Sequence, residues 1–299
     1  MKRVIGVDVG GSAIKMGVFI EDGTCLKSIS LPTPQPANPE PVVNAIALGV
    51  KQLQQEYNCQ AIGLGMPGPT DSSRRIAKKS IILPGWDDVP VADWLEAHTK
   101  LSTVLEIDAN CAAIGEAWLG AGKRFQDFIL LTLGTGVGGG IFINGQLFTG
   151  RLGAAGELGL ITLNSDGLPC RSGNHGSLEQ YASIGAVLRM TEQKPAEMGK
   201  LAQGGDVGAI EFWQNYGKIL GAGLASLIYV LTPEADIIGG GISASSQFFL
   251  PSTKAEIEKR VVSPSREGVQ LLTAELCNKA GMLGAAKLVW NEQDKISSV

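Results

Sequence analysis

The sequence predicts an α/β protein built from two similar lobes, and a repeated strand–turn–strand pattern is the main reason. The chain opens with a strand, a tight glycine turn and a second strand, as VIGVDV, Gly10-Gly11-Ser12 and IKMGVFI. The same order returns further along, as FILLTL, Gly134-Thr135-Gly136 and GGGIFI. Each second strand runs into a hairpin pair, Asp22-Gly23 or Asn144-Gly145. One supersecondary unit therefore occurs twice, which indicates a chain made of two related halves.

Length and composition limit the function classes. The 299 residues suffice for two compact cores, and the net charge of −4 argues against a nucleic-acid partner, which needs a basic face. The first residues lack the apolar core of a signal peptide. The longest apolar run, about 220–231, is shorter than the roughly 20 residues of a membrane helix. Five scattered cysteines are typical of reduced thiols, so we expect a cytoplasmic protein without a membrane partner.

Between the two repeats the predicted elements alternate between helix and strand. Residues 41–57 carry apolar side chains at helical spacing, and AIGLGMPG, from Ala61, is a buried strand that runs into a turn. LSTVLEID, from Leu101, is another strand, and it delivers Asp108 to the start of a helix that Gly120 and Gly122 end. This order places a carboxylate where a strand becomes a helix.

After the second hairpin the pattern changes from strands to helices. Residues 150–177 are rich in glycine and predict an irregular segment. Residues 217–231 predict a helix, ADIIGGG predicts a strand, and residues 281–290 predict a last helix.

The two glycine turns are candidate phosphate sites. A hairpin tip without side chains brings backbone N–H groups close to phosphate oxygens, whereas the alternative is a turn with no ligand. Two such turns, one of them in the glycine run GTGVGGG, favour phosphate. Residues 134–139 also match G-x-G-x-x-G, but a dinucleotide fingerprint requires a helix directly after the glycines. A strand, IFI, follows here, which disfavours that hypothesis.

Two carboxylates and a third glycine cluster are further candidates. Asp8 ends the first strand, where it either holds Mg²⁺ through water or caps the turn; Lys15 either meets phosphate or is solvated. Asp108 is either a general base or a helix N-cap. The third glycine cluster, Gly239-Gly240-Gly241, either lets an adenine or ribose approach the backbone or forms a plain turn.

Five ordered segments, spread over essentially the whole chain, resemble the ROK family (repressors, open reading frames and kinases), and its glucokinase-like sugar kinases most of all. They are GVDVGGSAIK (6–15), GMPGPTD (65–71), LGTGVGGGIFINGQLFTGRLGAAGELG (133–159), SGNHGSLEQYAS (172–183) and IIGGGIS (237–243). The resemblance implies two ribonuclease-H-like lobes of the actin/hexokinase ATPase type with a cleft between them. We expect residues 1–116 plus 279–299 to form the N-terminal lobe and residues 117–278 the C-terminal lobe.

The resemblance implies a kinase that transfers phosphate from Mg-ATP to a hexose, with glucose converted to glucose 6-phosphate, and that forms a homodimer. Polyphosphate-using relatives share the opening motif, so the donor stays open between ATP and polyphosphate. Asp108 would be the catalytic base, and Asp8 would hold magnesium through water. The residues implied for the sugar are Gly65, Pro67, Gly68, Glu157 and Glu179. Those implied for ATP are Asp8, Gly10, Gly11, Ser12, Lys15, Gly134, Thr135, Gly136, Gly138, Gly239, Gly240 and Gly241.

The sequence departs from the family at its zinc site. Family members hold a structural zinc with one histidine and three cysteines. Their positions are occupied here by Leu160, Cys170, Ser172 and Ser177. A closed zinc site needs four such donors, and His175 could add only one more, so we expect no zinc.

Three positions that are polar in the family are apolar here, namely Ile82, Ile107 and Leu160. These replacements remove partners for sugar hydroxyls. They leave two alternatives open: a kinase for another sugar (mannose, fructose or an N-acetylhexosamine), or an inactive sugar or nucleotide sensor of the same fold.

Overall fold

A computed structural model describes residues 2–80 and 83–297. Within those ranges there are twelve strands, ten of which lie before residue 148. They are β1 (Val4–Val9), β2 (Ala13–Phe19), β3 (Cys25–Pro32), β4 (Ala61–Met66), β5 (Ala77–Lys79), β6 (Asp87–Val89), β7 (Ser102–Ile107), β8 (Phe128–Leu133), β9 (Val137–Ile143), β10 (Gln146–Leu147), β11 (Ala235–Gly239) and β12 (Gln270–Thr273).

The α-helices lie mostly in the second half of the chain, as predicted from the change of pattern there. They are α1 (Pro39–Gln54), α2 (Val91–Thr99), α3 (Asp108–Leu119), α4 (Glu179–Ala182), α5 (Ile184–Thr191), α6 (Pro195–Gln203), α7 (Val207–Leu231), α8 (Ser246–Arg260), α9 (Ser263–Arg266) and α10 (Ala280–Ser297). Among the helices of the described ranges, none combines the length and the apolar composition needed to cross a bilayer.

The chain folds into two compact units. The first comprises Met1–Lys123, Leu147–Ala155 and Asn278–Val299, and the second comprises Arg124–Gln146 and Gly156–Cys277. The sequence placed the first boundary after residue 116 and assigned residues 147–155 to the other half, so the observed bounds differ from that expectation.

Local contacts explain both differences. Residues 117–123 stay with the first unit because the turn after α3 folds back on it: the N–H of Gly122 donates to the carbonyl of Glu116 at 3.0 Å. Residues 147–155 pack on the first unit at Gly153, where an added Cβ would lie 2.7 Å from the carbonyl oxygen of Thr70.

Both large sheets have the same strand order. One runs β3-β2-β1-β4-β7 and the other runs β10-β9-β8-β11-β12. In each, an antiparallel hairpin (β1–β2 or β8–β9) is followed by two strands in parallel pairing. The internal repeat predicted from the two glycine hairpins is therefore confirmed.

Helix α10 lies directly on the first sheet. Added Cβ atoms at Gly6 of β1 and Gly63 of β4 would overlap the carbonyl groups of Met282 and Ala285 in this helix. Glycine at both positions therefore lets the helix backbone approach the strands closely. An apolar cluster completes the contact: Val4, Phe19, Ala61, Met282, Leu283, Ala286, Val289 and Trp290.

Candidate active site

The carboxyl ends of three parallel strands bring predicted site residues together in the first unit. Asp8 of β1 is in register with Gly65 of β4, and Gly65 is in register with Glu106 of β7. Asp108 follows β7 directly. An added Cβ at Gly65 would lie 3.1 Å from the Sγ atom of Cys111 in α3, so glycine here allows the first turn of α3, which begins at Asp108, to approach β4. Asp8 and Asp108 consequently lie at one edge of the sheet, separated by a single strand.

Asp108 is the first residue of α3, and Ile107 occupies the N-cap position without a side-chain cap. The Oδ1 atom of Asp108 accepts a hydrogen bond from the N–H of Ala109 at 2.7 Å. A carboxylate in the first turn is favoured by the partial positive charge of a helix N-terminus. The side chain is half-buried, so it remains accessible to a ligand.

Asp8 lies in a more confined setting. Burial raises the pKa of its carboxyl group, and the positive charge of Lys15, its register partner on β2, acts in the opposite direction. An added Cβ at Gly281 would lie 3.0 Å from the Cγ atom of Asp8. The start of α10 therefore packs against this carboxylate. A cation beside Asp8 would favour its ionised form.

The first glycine turn is held by residues that follow β3. The hydroxyl of Thr33 donates to the carbonyl of Gly10 at 2.7 Å, the side-chain amide of Gln35 donates to the carbonyl of Gly11 at 3.0 Å, and the N–H of Thr33 donates to the carbonyl of Ser12 at 3.1 Å. These bonds turn three carbonyl oxygens toward the protein. Because carbonyl oxygens repel phosphate, this is the orientation that a phosphate-binding turn requires.

The loop at Pro67-Gly68 is shaped by the backbone around it. Gly68 has φ = +101°, and an added Cβ there would overlap the carbonyl of Lys79. Further along, Asp71 accepts hydrogen bonds from the N–H groups of Arg75 at 2.8 Å and Ile76 at 2.7 Å. Burial opposes the ionised form of Asp71, but these and further hydrogen bonds outweigh it and lower its pKa. Ile82, one of the three apolar replacements, lies outside the described residues.

A buried ionic network lies behind Asp108, and the sequence interpretation missed it. Glu106 is 1% exposed and pairs with Arg74 at 3.2 Å. Arg74 contacts Oε2 of Glu106. Oε1 of Glu106 accepts hydrogen bonds from the N–H of Ile107 at 2.9 Å and the side-chain amide of Asn110 at 3.0 Å. Arg74 also pairs with Glu292 of α10. Glu106, a charged residue inside the apolar strand LSTVLEID, is the sequence feature that could have indicated a buried ion pair here.

The second glycine turn, in the other unit, is held by a carboxylate. Oε2 of Glu179 accepts a hydrogen bond from the N–H of Val137 at 3.0 Å, and an added Cβ at Gly136 would lie 2.5 Å from that same oxygen. The N–H of Ile184 donates to the carbonyl of Gly134 at 2.8 Å. Thr135 is exposed at the tip of the turn. Gly138 lies in β9 in register with Thr132 of β8.

The two predicted sugar-binding glutamates lie near each other. Glu157 precedes a 3₁₀ turn at Leu158–Leu160. Burial raises the pKa of its carboxyl group, and the negative charge of Glu179 raises it further. An added Cβ at Gly159 would overlap the carbonyl of Val137. The segment carrying Glu157 therefore packs on β9, beside the second glycine turn.

Within the third glycine cluster, Gly239-Gly240-Gly241, the backbone at Gly240 requires glycine. Gly240 has φ = +82°, and an added Cβ would lie 2.5 Å from the backbone nitrogen of Leu133. At Gly241 an added Cβ meets nothing within 4 Å, and at Gly239 the nearest atom is the Cβ of Ala274 at 3.2 Å. The exposed side of Gly241 is the part of this turn that a ligand could approach.

The segment that carries zinc in the family is tied together by Asn174. Its side-chain amide donates to the carbonyl of Leu160 at 2.8 Å, its Oδ1 accepts from the N–H of His175 at 2.7 Å, and its carbonyl accepts from the N–H of Cys170 at 2.7 Å. Burial opposes ionisation of the Cys170 thiol, but the neighbouring Ser172 and Ser177 outweigh it and lower its pKa. In the described parts of the chain, no group of three or more His, Cys, Asp or Glu side chains could hold a metal ion.

Of the three apolar replacements, Ile107 and Leu160 lie within the described residues, and their side chains differ in solvent exposure. Ile107 is 6% exposed, so its side chain belongs to the core. Leu160 is half-buried at the end of its 3₁₀ turn. Neither side chain can form a hydrogen bond with a sugar hydroxyl.

Comparisons with known proteins agree with this arrangement. Residues 4–292 match the ROK family. A glucokinase of Streptomyces coelicolor is 35% identical, with 99% of this chain and all of that protein covered; a glucokinase of Thermotoga maritima is 32% identical over 96% of this chain and 97% of that protein. The crystal structure of a ROK family glucokinase from Streptomyces griseus, in complex with glucose and AMPPNP, has a TM-score of 0.86 at 34% identity and covers 96% of this chain and 98% of that one. The resemblance carried by the five sequence segments is confirmed, and the chain belongs to the ROK family.

Proposed function

We propose that this protein is a sugar kinase that transfers the γ-phosphate of Mg-ATP to a hexose, with glucose as the preferred acceptor. The observation that carries the proposal is the carboxyl edge of the first sheet, where Asp8, the first glycine turn and Asp108 lie together. The relatives that match the chain along nearly its whole length and are named glucokinases support the same activity.

Asp108 acts as the general base. It accepts the proton of the sugar hydroxyl while the hydroxyl oxygen attacks the γ-phosphorus. The bond from that phosphorus to the bridging oxygen of the β-phosphate breaks, and ADP leaves with the electron pair. The N-terminus of α3 places partial positive charge beside this carboxylate. The network of Arg74, Glu106 and Asn110 fixes the end of β7, from which Asp108 projects.

The glycine turns bind the nucleotide. Gly10 and Gly134 close the two turns, because their N–H groups donate to the carbonyls of Ala13 and Gly136 at 2.9 Å. The backbone N–H groups of Gly11, Ser12, Thr135 and Gly136 donate to phosphate oxygens, with Lys15 as a cationic partner. Asp8 would hold magnesium through water, since hard cations prefer oxygen ligands. When bound there, magnesium would supply positive charge against the phosphate groups. Gly239 to Gly241 accept the adenosine.

Carboxylates bind the sugar. Glu157 and Glu179 accept hydrogen bonds from sugar hydroxyls, and Gly65, Pro67 and Gly68 form the adjoining backbone surface. Ile107 and Leu160 offer no such partner, and a buried hydroxyl without one costs roughly 1–3 kcal/mol. The sugar preference is therefore the property that most needs measurement.

A coupled assay of ADP release tests the proposal with glucose, mannose, fructose and N-acetylglucosamine. We expect turnover with ATP, fastest for glucose. Because polyphosphate releases no ADP, turnover with that donor is measured separately from the amount of sugar phosphate formed. Faster turnover of another sugar would correct the acceptor. Tight sugar binding without turnover with any donor would instead identify a sensor.

We also propose a homodimer located in the cytoplasm, on the family resemblance. Size-exclusion chromatography with light scattering measures the mass directly. A mass of 31.3 kDa, that of one chain, would contradict the dimer.

A further inference from the structure

A sugar-binding residue also supports the nucleotide site in the second unit. We propose that Glu179 is a positioning residue for the second phosphate-binding turn, so that nucleotide affinity depends on it even when no sugar is bound. This inference rests on the proposed function, because it assigns nucleotide binding to that turn.

The contact between Glu179 and the turn is close and directional. Its Oε2 atom accepts the N–H of Val137 at 3.0 Å, which fixes the direction of the backbone at the residue that ends the turn. The same oxygen lies 2.5 Å from the position that a Cβ on Gly136 would occupy. The carboxylate therefore occupies the space beside the turn that a side chain at residue 136 would need.

The backbone that carries Glu179 is itself anchored. Leu178, directly before it, is fully buried. At the other end of α4 the carbonyl of Ala182 accepts a hydrogen bond from the buried hydroxyl of Tyr216 at 2.8 Å. Two residues further, the N–H of Ile184 donates to the carbonyl of Gly134 at 2.8 Å. A short helix fixed at both ends holds the carboxylate in place against the turn.

A carboxylate has enough acceptor capacity for both roles. Its two oxygens offer about four acceptor sites, so the bond from Val137 leaves room for a sugar hydroxyl. A hydroxyl bound to Glu179 restricts rotation of the carboxylate and keeps Oε2 on Val137. Binding of sugar and binding of nucleotide then strengthen each other, and by thermodynamic linkage they do so by the same factor.

Three variants separate this role from sugar binding. Glu179→Ala removes the acceptor, Glu179→Gln keeps an amide oxygen that accepts the N–H of Val137, and Glu157→Ala removes the neighbouring glutamate. Among the described residues, the side chain of Glu157 makes none of the hydrogen bonds found at the turn. Affinity for Mg-AMP-PNP is measured by calorimetry without sugar and again with saturating glucose, and a melting curve of each variant reports its folding.

Without sugar we expect Glu179→Ala to bind Mg-AMP-PNP about fivefold more weakly than wild type, the factor for one hydrogen bond of about 1 kcal/mol. Glu179→Gln and Glu157→Ala should remain within twofold of wild type. Glucose should strengthen wild-type binding and lose that effect in Glu179→Ala.

Wild-type affinity in Glu179→Ala, or an equal loss in all three variants, would overturn the inference while leaving the proposed function intact. Equal affinity with and without glucose, in wild-type protein that binds glucose, would overturn the linkage. A wild-type protein that binds no Mg-AMP-PNP would overturn the proposed function as well.

Discussion

Asp108 is the residue on which the proposed chemistry depends most directly. Asp108→Asn keeps an oxygen that can accept the N–H of Ala109, but it removes the basic site. We therefore expect kcat to fall by roughly 10²–10⁴ while nucleotide affinity and melting temperature stay near wild type. The ADP-release assay and a Mg-AMP-PNP titration measure both quantities.

Asp206 provides a matched control for that substitution. It caps the start of α7, where its Oδ1 accepts the N–H of Ala209 at 2.8 Å, and asparagine caps a helix about as well as aspartate. Asp206→Asn should leave kcat unchanged. Near-wild-type turnover in Asp108→Asn would end its assignment as the base.

Asp236 shows that a residue outside the proposed chemistry can govern stability. It lies on β11, is fully buried, and neither carboxylate oxygen has a hydrogen-bond partner among the described residues. Burial raises its pKa from 3.8 to about 8. Between those two pH values the folded state retains a proton that the unfolded state has lost. The free energy of unfolding therefore falls as pH rises, by roughly 1.4 kcal/mol per pH unit for this group.

Asp236→Asn removes this ionisation. We expect the variant to exceed wild type in unfolding free energy by a margin that grows between pH 5 and pH 8, as urea titrations at several pH values would measure. Asn215→Ala, which changes an exposed side chain without removing an ionisable group, should show no such growing margin. A difference that stays constant with pH would mean that Asp236 is ionised in the folded protein throughout.

At the scale of elements, local pattern predicted the two glycine hairpins and the strands β4, β7 and β11. It did not predict the short strands β5, β6 and β12, or the side-chain pairing between elements. Residues that are close in sequence determine a glycine turn between two apolar runs, so β1–β2 and β8–β9 were predictable. The pair of Arg74 and Glu106 joins a loop to a strand, and the bond of Glu179 to Val137 joins a helix to a hairpin. Such contacts depend on tertiary packing, for which the sequence carries no periodic signal.

The segment from Leu160 to Ser177 is an element that the family builds around zinc and this chain builds around Asn174. We expect no stoichiometric zinc in protein purified without chelator. Treatment with a chelator that is removed before assay with excess Mg-ATP should change neither melting temperature nor activity, because the required zinc donors are missing. One tightly held zinc per chain, lost together with activity, would contradict this.

Asn174→Ala should lower the free energy of unfolding by about 1–2 kcal/mol, because it removes the side-chain partners of two backbone groups, the carbonyl of Leu160 and the N–H of His175. Asn215→Ala, which removes an exposed side chain on α7 that contacts only Lys218 through a described hydrogen bond, is the control and should change stability far less. Equal stability of the two variants would show that Asn174 does not hold the segment.

At the scale of the molecule, a ligand that binds only the folded state raises its stability by mass action. Mg-ATP should therefore raise the melting temperature. Gly136→Val should abolish this shift, because the branched side chain would displace Glu179 from the second turn. Gly185→Val is the control, since an added Cβ there meets only the Ser183 hydroxyl, at 3.7 Å. If Mg-ATP raised the melting temperature of Gly136→Val as much as that of wild type, the second glycine turn would not be part of the nucleotide site.

The position of α10 has a consequence for how the protein is made. Gly6 and Gly63 leave the ribosome early, but the helix that covers them begins at Ala280 and is synthesised only after the whole second unit. The nascent first unit therefore displays the apolar surface of Val4, Phe19 and Ala61 for most of translation. The second unit, whose residues are all available before α10 emerges, can complete its core first. Chaperones that shield apolar surface would act during that interval, on the half of the chain that was synthesised first.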